Sequence, residues 1–313
     1  MILVTGGAGF IGNAVVRRLS AAGDPVRVLD NFSSGFRKNL DGLESRVEIV
    51  GADICDPDAV AMAMRGVATV IHLAAIPSVS RSVANPVETW RVNVDGTLRL
   101  LEQARKSEVK RFVFTCSSSV YGDAPTLPKR EDMPSRPLSP YAASKAAGEE
   151  LVGSYAASFG LSSCSLRPFN VYGPRQDPKS EYAAAIPRFV MAALENRPAT
   201  VYGDGTQTRD FTFVEDAAEA FERAAKSQAA GVFNVAAGGR VSVLDLISRI
   251  RALCGGPEPR FEPRRAGDVL HSQADVSAAE RALGFMASTT LEEGLKRTIE
   301  WFRGGRLSSR EIQ

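Results

Sequence analysis

From its first residue the chain alternates short β-branched runs with segments of helical pattern. The runs are "ILVT", "PVRVLD", "RVEIV", "TVIHLA", "RFVFTC" and "SCSLRP". Strands separated by amphipathic segments build βαβ units, and such units stack into a parallel sheet covered on both faces. The chain is therefore predicted to be an α/β protein with a doubly wound parallel sheet. At 313 residues it exceeds the usual single domain, so a second, smaller unit is expected. The texture changes near residue 180. Residues 1–180 read as the sheet domain, with segments of about 210–240 able to return to it. Residues 181–313 read mainly as a smaller, discontinuous α/β lobe that completes a cleft, and the tail 303–313 as frayed.

Lys plus Arg (38) nearly balance Asp plus Glu (36), and the basic residues are scattered. No nucleic-acid or membrane surface is expected, and the partner is a small molecule. No apolar run approaches the roughly 18 residues of a membrane span. The opening "MILVTGGAG" enters a strand without a basic leader. Cys55, Cys116, Cys164 and Cys254 have no metal-like spacing. Reduced thiols in an unexported, cytoplasmic protein without a bound metal are expected. Two long helical segments, Asn85–Ser107 and Ser139–Gly160, carry apolar and small residues over more than one face. They are predicted to pack against a second copy in a four-helix contact, making a homodimer.

"ILVTGGAGFIG" places Gly6, Gly9 and Gly12 after the first strand and at the start of a helix. These positions permit a tight turn and close approach of a pyrophosphate to backbone and helix N-terminus. Alone, the motif also fits an ordinary turn. The second strand ends in Asp30, 18 residues after Gly12. A carboxylate there accepts both ribose hydroxyls of adenosine and repels a 2′-phosphate, which favours NAD over NADP. A solvated loop acid is the plainer reading of Asp30. "GADICD" puts Asp53 and Ile54 after the third strand, where they can flank adenine.

The stretch "TCSSSVYG" sets three serines directly after an apolar strand. A hydroxyl at the C-terminal end of a parallel strand lies at the sheet's ligand-binding edge. Further on, "SPYAASK" offers Ser139 as N-cap and Pro140 as first helical residue, so Tyr141 and Lys145 share one helix face. A phenol of ordinary pKa about 10 becomes a usable base where a lysine ammonium and an oxidised nicotinamide favour the phenolate.

Taken in order, "TGGAGFIG", "LDNFSSG", "HLAA", "SSSVYG", "SPYAASK", "RPFNVYGPRQ", "GDGTQTRDFTFVED" and "RRAGD" span nearly the whole chain. The set resembles the extended short-chain dehydrogenase/reductases, specifically the nucleotide-sugar epimerase group related to UDP-galactose 4-epimerase. The resemblance implies a Rossmann-type sheet and NAD as cofactor. It implies Ser117 as substrate-binding hydroxyl, Tyr141 as catalytic base, and Lys145 as a ligand of the nicotinamide ribose that lowers the tyrosine pKa. It further implies cofactor contacts at Phe10, Ile11, Asn31, Leu73, Ala74, Ala75 and Asn93. His72 reads as structural.

For a UDP-sugar substrate the resemblance points to Arg209 and Arg265 on the diphosphate, Asn170 as a further contact, and Asp268 on the nucleotide ribose. Either arginine taken alone also reads as a surface ion pair. Ser118 and Ser119 reach either the sugar or nearby backbone groups. Ser272 stands where some relatives carry a bulky tyrosine, which makes an N-acetylated hexose compatible. Ala184 and Ser78 fall near the acetamido group. The implied reaction is 4-epimerisation of UDP-N-acetylglucosamine or UDP-glucose through a 4-keto sugar. UDP-glucuronate is the alternative substrate, with Arg81 available for its carboxylate. A dehydratase or decarboxylase would carry acids where Ser118 and Ser119 stand. A dinucleotide sensor without activity would show a broken Ser/Tyr/Lys set.

Overall fold

A computed structural model of the chain describes residues 1–178, 185–264 and 269–310, the last six by their backbone alone. The strands are β1 (Ile2–Thr5), β2 (Val26–Asp30), β3 (Val47–Gly51), β4 (Thr69–His72), β5 (Arg111–Thr115), β6 (Ser163–Pro168), β7 (Val171–Tyr172), β8 (Thr200–Tyr202), β9 (Thr208–Arg209), β10 (Thr212–Phe213), β11 (Gly231–Val235), β12 (Val241–Ser242) and β13 (Arg260–Glu262). The helices are α1 (Phe10–Ala21), α2 (Pro57–Ala63), α3 (Val79–Ala84), α4 (Pro86–Trp90), α5 (Gly96–Lys106), α6 (Pro140–Phe159), α7 (Ala185–Leu194), α8 (Val214–Lys226), α9 (Val243–Cys254), α10 (Ser277–Leu283) and α11 (Leu291–Arg310).

All six apolar runs are strands of one seven-stranded sheet, ordered β11-β6-β5-β4-β1-β2-β3, and every pairing in it is parallel. The order reverses between β1 and β4, the crevice where open α/β sheets bind ligands. Successive residues feed opposite faces, as a period of two requires. Val4, Val28, Ile71 and Val113 enter one core cluster, while Leu3, Leu29, Val70 and Phe112 enter the other. Strand β11 joins the sheet beside β6. A third cluster gathers Phe189 and Val190 of α7, Leu246 and Ile250 of α9, and Leu295 and Ile299 of α11.

Helix α6 starts and stops where its residues dictate. Ser139 Oγ accepts from the Ala142 amide at 3.1 Å, Pro140 takes the first helical position, and Gly160 ends the helix at φ 68°. The Glu149 side chain clamps α6 to β6: its oxygens accept from Arg167 Nη2 at 2.5 Å and Nε at 2.9 Å. The segment expected as one helix over Asn85–Ser107 differs in its middle. Residues Arg91–Asp95 form a π turn between α4 and α5. Two tertiary demands meet there: the Asn93 amide reaches into the protein, and Gly96 lies against Ile54 where an added Cβ would come within 2.7 Å.

Candidate active site

The glycine loop between β1 and α1 leaves no room for side chains. Gly6 has φ 70°, and a Cβ there would lie 2.7 Å from the Ala74 nitrogen. A Cβ on Gly12 would lie 2.0 Å from the Gly6 carbonyl oxygen. Gly9 is the N-cap of α1, and Phe10 and Ile11 form its half-buried first turn. The result is a bare backbone cradle at the positive end of a helix, which fits the pyrophosphate of a dinucleotide.

Asp30 ends β2 beside this cradle. Its Oδ2 accepts from the Ala8 amide at 2.9 Å and its Oδ1 from the Phe32 amide at 2.8 Å. Burial raises the carboxyl above its ordinary range, and the two amides oppose that rise. Asp30 thus shapes the loop, and a second lone pair on each oxygen remains for ribose hydroxyls. Asn31 Nδ2 donates to Asp53 Oδ2 at 3.2 Å, joining the ends of β2 and β3. The Ile54 side chain is 4 % exposed and packs in the core against Gly96. Only the Asp53 carboxylate of that pair is accessible from solvent. Leu73, Ala74 and Ala75 follow β4, and the Ala74 amide donates to Thr5 Oγ1 at 3.2 Å. Asn93 is 2 % exposed; its Oδ1 accepts from the Ile76 amide at 2.7 Å and its Nδ2 donates to Ser144 Oγ at 2.9 Å. The π turn aims it inward, where it ties the loop after β4 to α6.

Gly35 and Asn39 escaped the sequence reading. The Phe36 amide and Asn39 Nδ2 donate to the Ala8 carbonyl at 3.1 and 2.8 Å. A Cβ on Gly35 would lie 2.7 Å from the Ala8 carbonyl carbon. The segment after Asp30 therefore folds onto the glycine loop. Its sequence signal was the small run "SSG" directly after the strand-end acid.

At the C-terminal end of β5 the structure brings Ser117, Tyr141 and Lys145 together. Ser117 caps a short 3₁₀ turn, its Oγ accepting from the Ser119 amide at 3.2 Å and from Ser119 Oγ at 2.9 Å. With both lone pairs engaged, its own proton is left to donate. Burial pushes the Tyr141 phenol up to about 12, and the nearby Ser117 hydroxyl pulls the other way. Lys145 is 4 % exposed. Its Nζ donates to the Thr115 carbonyl at 2.6 Å and stands 4.9 Å from the Phe114 ring centre. Burial lowers its ammonium to about 8. The Thr115 carbonyl anchors that ammonium on strand β5. Ser82, unremarked in the sequence, accepts from the Tyr141 amide at 3.0 Å and so ties α3 to the first turn of α6.

His72 is buried between Thr5 Oγ1 at 2.7 Å and Thr97 Oγ1 at 2.9 Å. Burial, followed by the nearby Lys145 charge, holds its pKa down to about 3, so the ring is neutral. Ser78 Oγ caps α3 by accepting from the Arg81 amide at 3.0 Å, and Arg81 pairs with Glu88 at 3.1 Å. Ser118 is half-buried beside Ser117.

After β6, Asn170 at φ 35° donates from Nδ2 to the Asp210 carbonyl at 2.8 Å. Arg209 Nη1 donates to the Thr208 and Leu270 carbonyls at 2.9 and 3.2 Å. The Ser272 amide donates to the Thr208 carbonyl at 3.1 Å, which sets Arg209 and Ser272 on adjoining segments. Ala184, Arg265 and Asp268 lie outside the described residues. Among the described residues no group of three or more His, Cys, Asp or Glu is placed to hold a metal ion. No described helix is long and apolar enough to cross a membrane.

Comparison with known proteins agrees with this geometry. The NAD dependent epimerase/dehydratase family matches residues 2–236. A UDP-glucose 4-epimerase of Mycolicibacterium smegmatis is 44 % identical over 307 residues, covering 96 % of this chain and 98 % of that protein. The structure of a UDP-N-acetylglucosamine 4-epimerase from Methanobrevibacter ruminantium, in complex with UDP-N-acetylmuramic acid, is similar with a TM-score of 0.94 and 37 % identity, over 97 % of this chain and 98 % of that one. A UDP-glucose 4-epimerase from Thermotoga maritima, solved with UDP-glucose, has a TM-score of 0.94 and 36 % identity, over 97 % and 99 % of the two chains. With a bare glycine cradle, a strand-end acid and an intact Ser/Tyr/Lys set, the chain belongs to the NAD-dependent epimerase/dehydratase family.

Proposed function

We propose that the chain interconverts the 4-epimers of UDP-N-acetylglucosamine, UDP-glucose or both, through a transient 4-keto sugar. In reaction class it is an NAD-dependent UDP-sugar 4-epimerase. The observation that carries this reading is the Ser119–Ser117 hydroxyl pair beside the Tyr141 phenol at the sheet's C-terminal edge, with Lys145 anchored on the Thr115 carbonyl. Tyr141 takes the proton of the 4-hydroxyl and later returns it. Ser117, with its oxygen already engaged by Ser119, donates to the sugar oxygen or the phenolate. Lys145, held by the Thr115 carbonyl, keeps two further protons for the nicotinamide ribose. The glycine cradle and Asp30 would hold NAD, which would supply a reversible hydride acceptor for the 4-carbon.

Epimerisation requires the nucleotide to be gripped and the hexose to turn over. Arg209 and Asn170 on one side of the cleft, and the small residues Ser117, Ser118, Ser119 and Ser272 around the sugar, suit that division. Two rival chemistries find less support. Ser119, where a dehydratase or decarboxylase would carry an acid, is spent on Ser117. Arg81, the candidate anchor for a glucuronate carboxylate, is paired with Glu88.

Proton NMR of the purified protein, without added NAD, tests the reading with UDP-N-acetylglucosamine and UDP-glucose in separate tubes. The 4-epimer is expected to appear in at least one tube, and the rate ratio reports on the small residue at Ser272. If neither sugar changes after NAD is supplied, the reading fails and UDP-glucuronate is the next substrate.

The assembly proposed is a homodimer through α3 to α6. Val83 and Val87 stand 64 % and 78 % exposed there, with Val79, Trp90 and Phe159 also open. Sedimentation is expected to give twice the 33.5 kDa chain mass. A monomer whose mass does not change with concentration sinks the dimer. A reducing, cytoplasmic setting suits four unpaired cysteines.

A further inference from the structure

Asp210 follows directly on Arg209 and is 0 % exposed. A carboxylate taken wholly out of water is costly unless its lone pairs are filled. Backbone amides fill them. Oδ1 accepts from the Ala237 amide at 3.2 Å and Oδ2 from the Ala274 amide at 3.1 Å, and the Gly238 and Gly239 amides lie on the same side as Ala237 and favour the carboxylate. Burial pushes the group up to about 6, and these four amides pull against it.

The backbone around it is tied in the same way. Asn170 Nδ2 donates to the Asp210 carbonyl at 2.8 Å. Strand β9 pairs with β12 through Arg209 and Val241. The Thr208 amide donates to the Leu270 carbonyl at 3.0 Å, and Gln273 Nε2 to the Gly238 carbonyl at 3.1 Å. Asp210 is therefore the point where four stretches of chain meet: Asn170, residues 208–210, residues 237–241 and residues 270–274. Three of these stretches carry the groups assigned above to the nucleotide and sugar. Among the described residues, the hydrogen-bond partners of Asp210 include no atom of Ser117, Tyr141, Lys145 or the glycine loop.

We propose that Asp210 is the positioning residue of the UDP subsite, holding the segments of Asn170, Arg209 and Ser272 at the separation a nucleoside diphosphate requires. It does so without touching substrate, and the proposal rests on the UDP-sugar reading above. N–H groups from two separate stretches of chain reach one oxygen each, so only an acceptor on both sides satisfies them. An asparagine would turn its NH₂ toward donors and leave at least one buried amide unpaired.

The test compares wild type with Asp210→Asn for retained NAD, for UDP affinity by calorimetry, and for kcat and KM with the sugar that turns over. The Kd for UDP and the KM are expected to rise about tenfold or more, with kcat within about twofold and NAD content unchanged. An unchanged Kd and KM overturns the proposal, as does a fall in kcat with KM intact. Should Asp210→Asn fail to fold, Ala274→Pro removes one donor. The neighbouring bridge to Lys129 survives, because it uses the Gln273 carbonyl and the Asp275 amide. A folded Ala274→Pro protein that binds UDP as wild type does also overturns it. Wild type that fails to bind UDP sinks the UDP-sugar reading itself, whereas wild-type binding with unaffected variants sinks only the role of Asp210.

Discussion

Tyr141→Phe is expected to lower kcat about a thousandfold, the middle of the range for losing a positioned acid-base group. The substitution removes one oxygen and little else. The backbone amide of residue 141 keeps its bond to Ser82 Oγ, and Ser117 keeps both bonds from Ser119. Helix capping by Ser139 is untouched. NAD content and UDP affinity should therefore match wild type, measured by absorbance of released cofactor and by calorimetry. Activity within a few-fold of wild type would show that another group moves the proton. Loss of NAD together with activity would mean that the phenol serves binding rather than chemistry. The protein by itself holds this phenol at about 12, so nearly all of it is protonated at neutral pH. Its basicity must come from charge brought alongside by the assembled complex.

Gly12→Ala is expected to abolish NAD retention and lower the melting temperature. The added methyl would sit 2.0 Å from the Gly6 carbonyl oxygen and 2.8 Å from the Gly6 carbonyl carbon. Those atoms belong to the backbone of the loop, so the clash cannot be relieved by a side-chain rotation. Overpacking of this kind costs about 1–3 kcal/mol or more, and the yielding part is the cradle itself. Gly304→Ala, in α11, is the matched control. Nothing lies within 4 Å of its added methyl, and Gly to Ala inside a helix stabilises by roughly 0.5–1 kcal/mol. A Gly12→Ala protein that retains NAD would show that the loop does not bind the pyrophosphate.

Much of this architecture could be read in advance, and the reasons are local. Strands of a parallel sheet are buried on both faces, so "RFVFT" and "SCSLRP" announce themselves as unbroken runs. The bounds of α6 follow from Ser139, Pro140 and Gly160, whose chemistry acts within one turn. What escaped notice depends on groups distant in sequence. Strand β11 centres on the buried Asn234, whose Nδ2 donates to the Lys129 carbonyl at 2.9 Å and whose Oδ1 accepts from Tyr121 Oη at 2.7 Å. A polar residue in mid-strand weakens the apolar signal until its partners are known. The inward turn of Asn93 likewise depends on a π turn, which inserts one residue without disturbing helical composition. Asp210 passed unremarked because its amide partners, Ala237 and Ala274, lie on other loops.

Tyr141, Lys145 and Glu149 are spaced four apart along α6, on one side of the rod and about 12 Å from first to last. The far member is the one locked to β6 by Arg167, two turns from the chemistry. Such a helix behaves like a key held at its bow: a small roll about the long axis at Glu149 sweeps the phenol sideways at the tip. A substitution at Arg167 would thus be felt at a phenol that it never approaches.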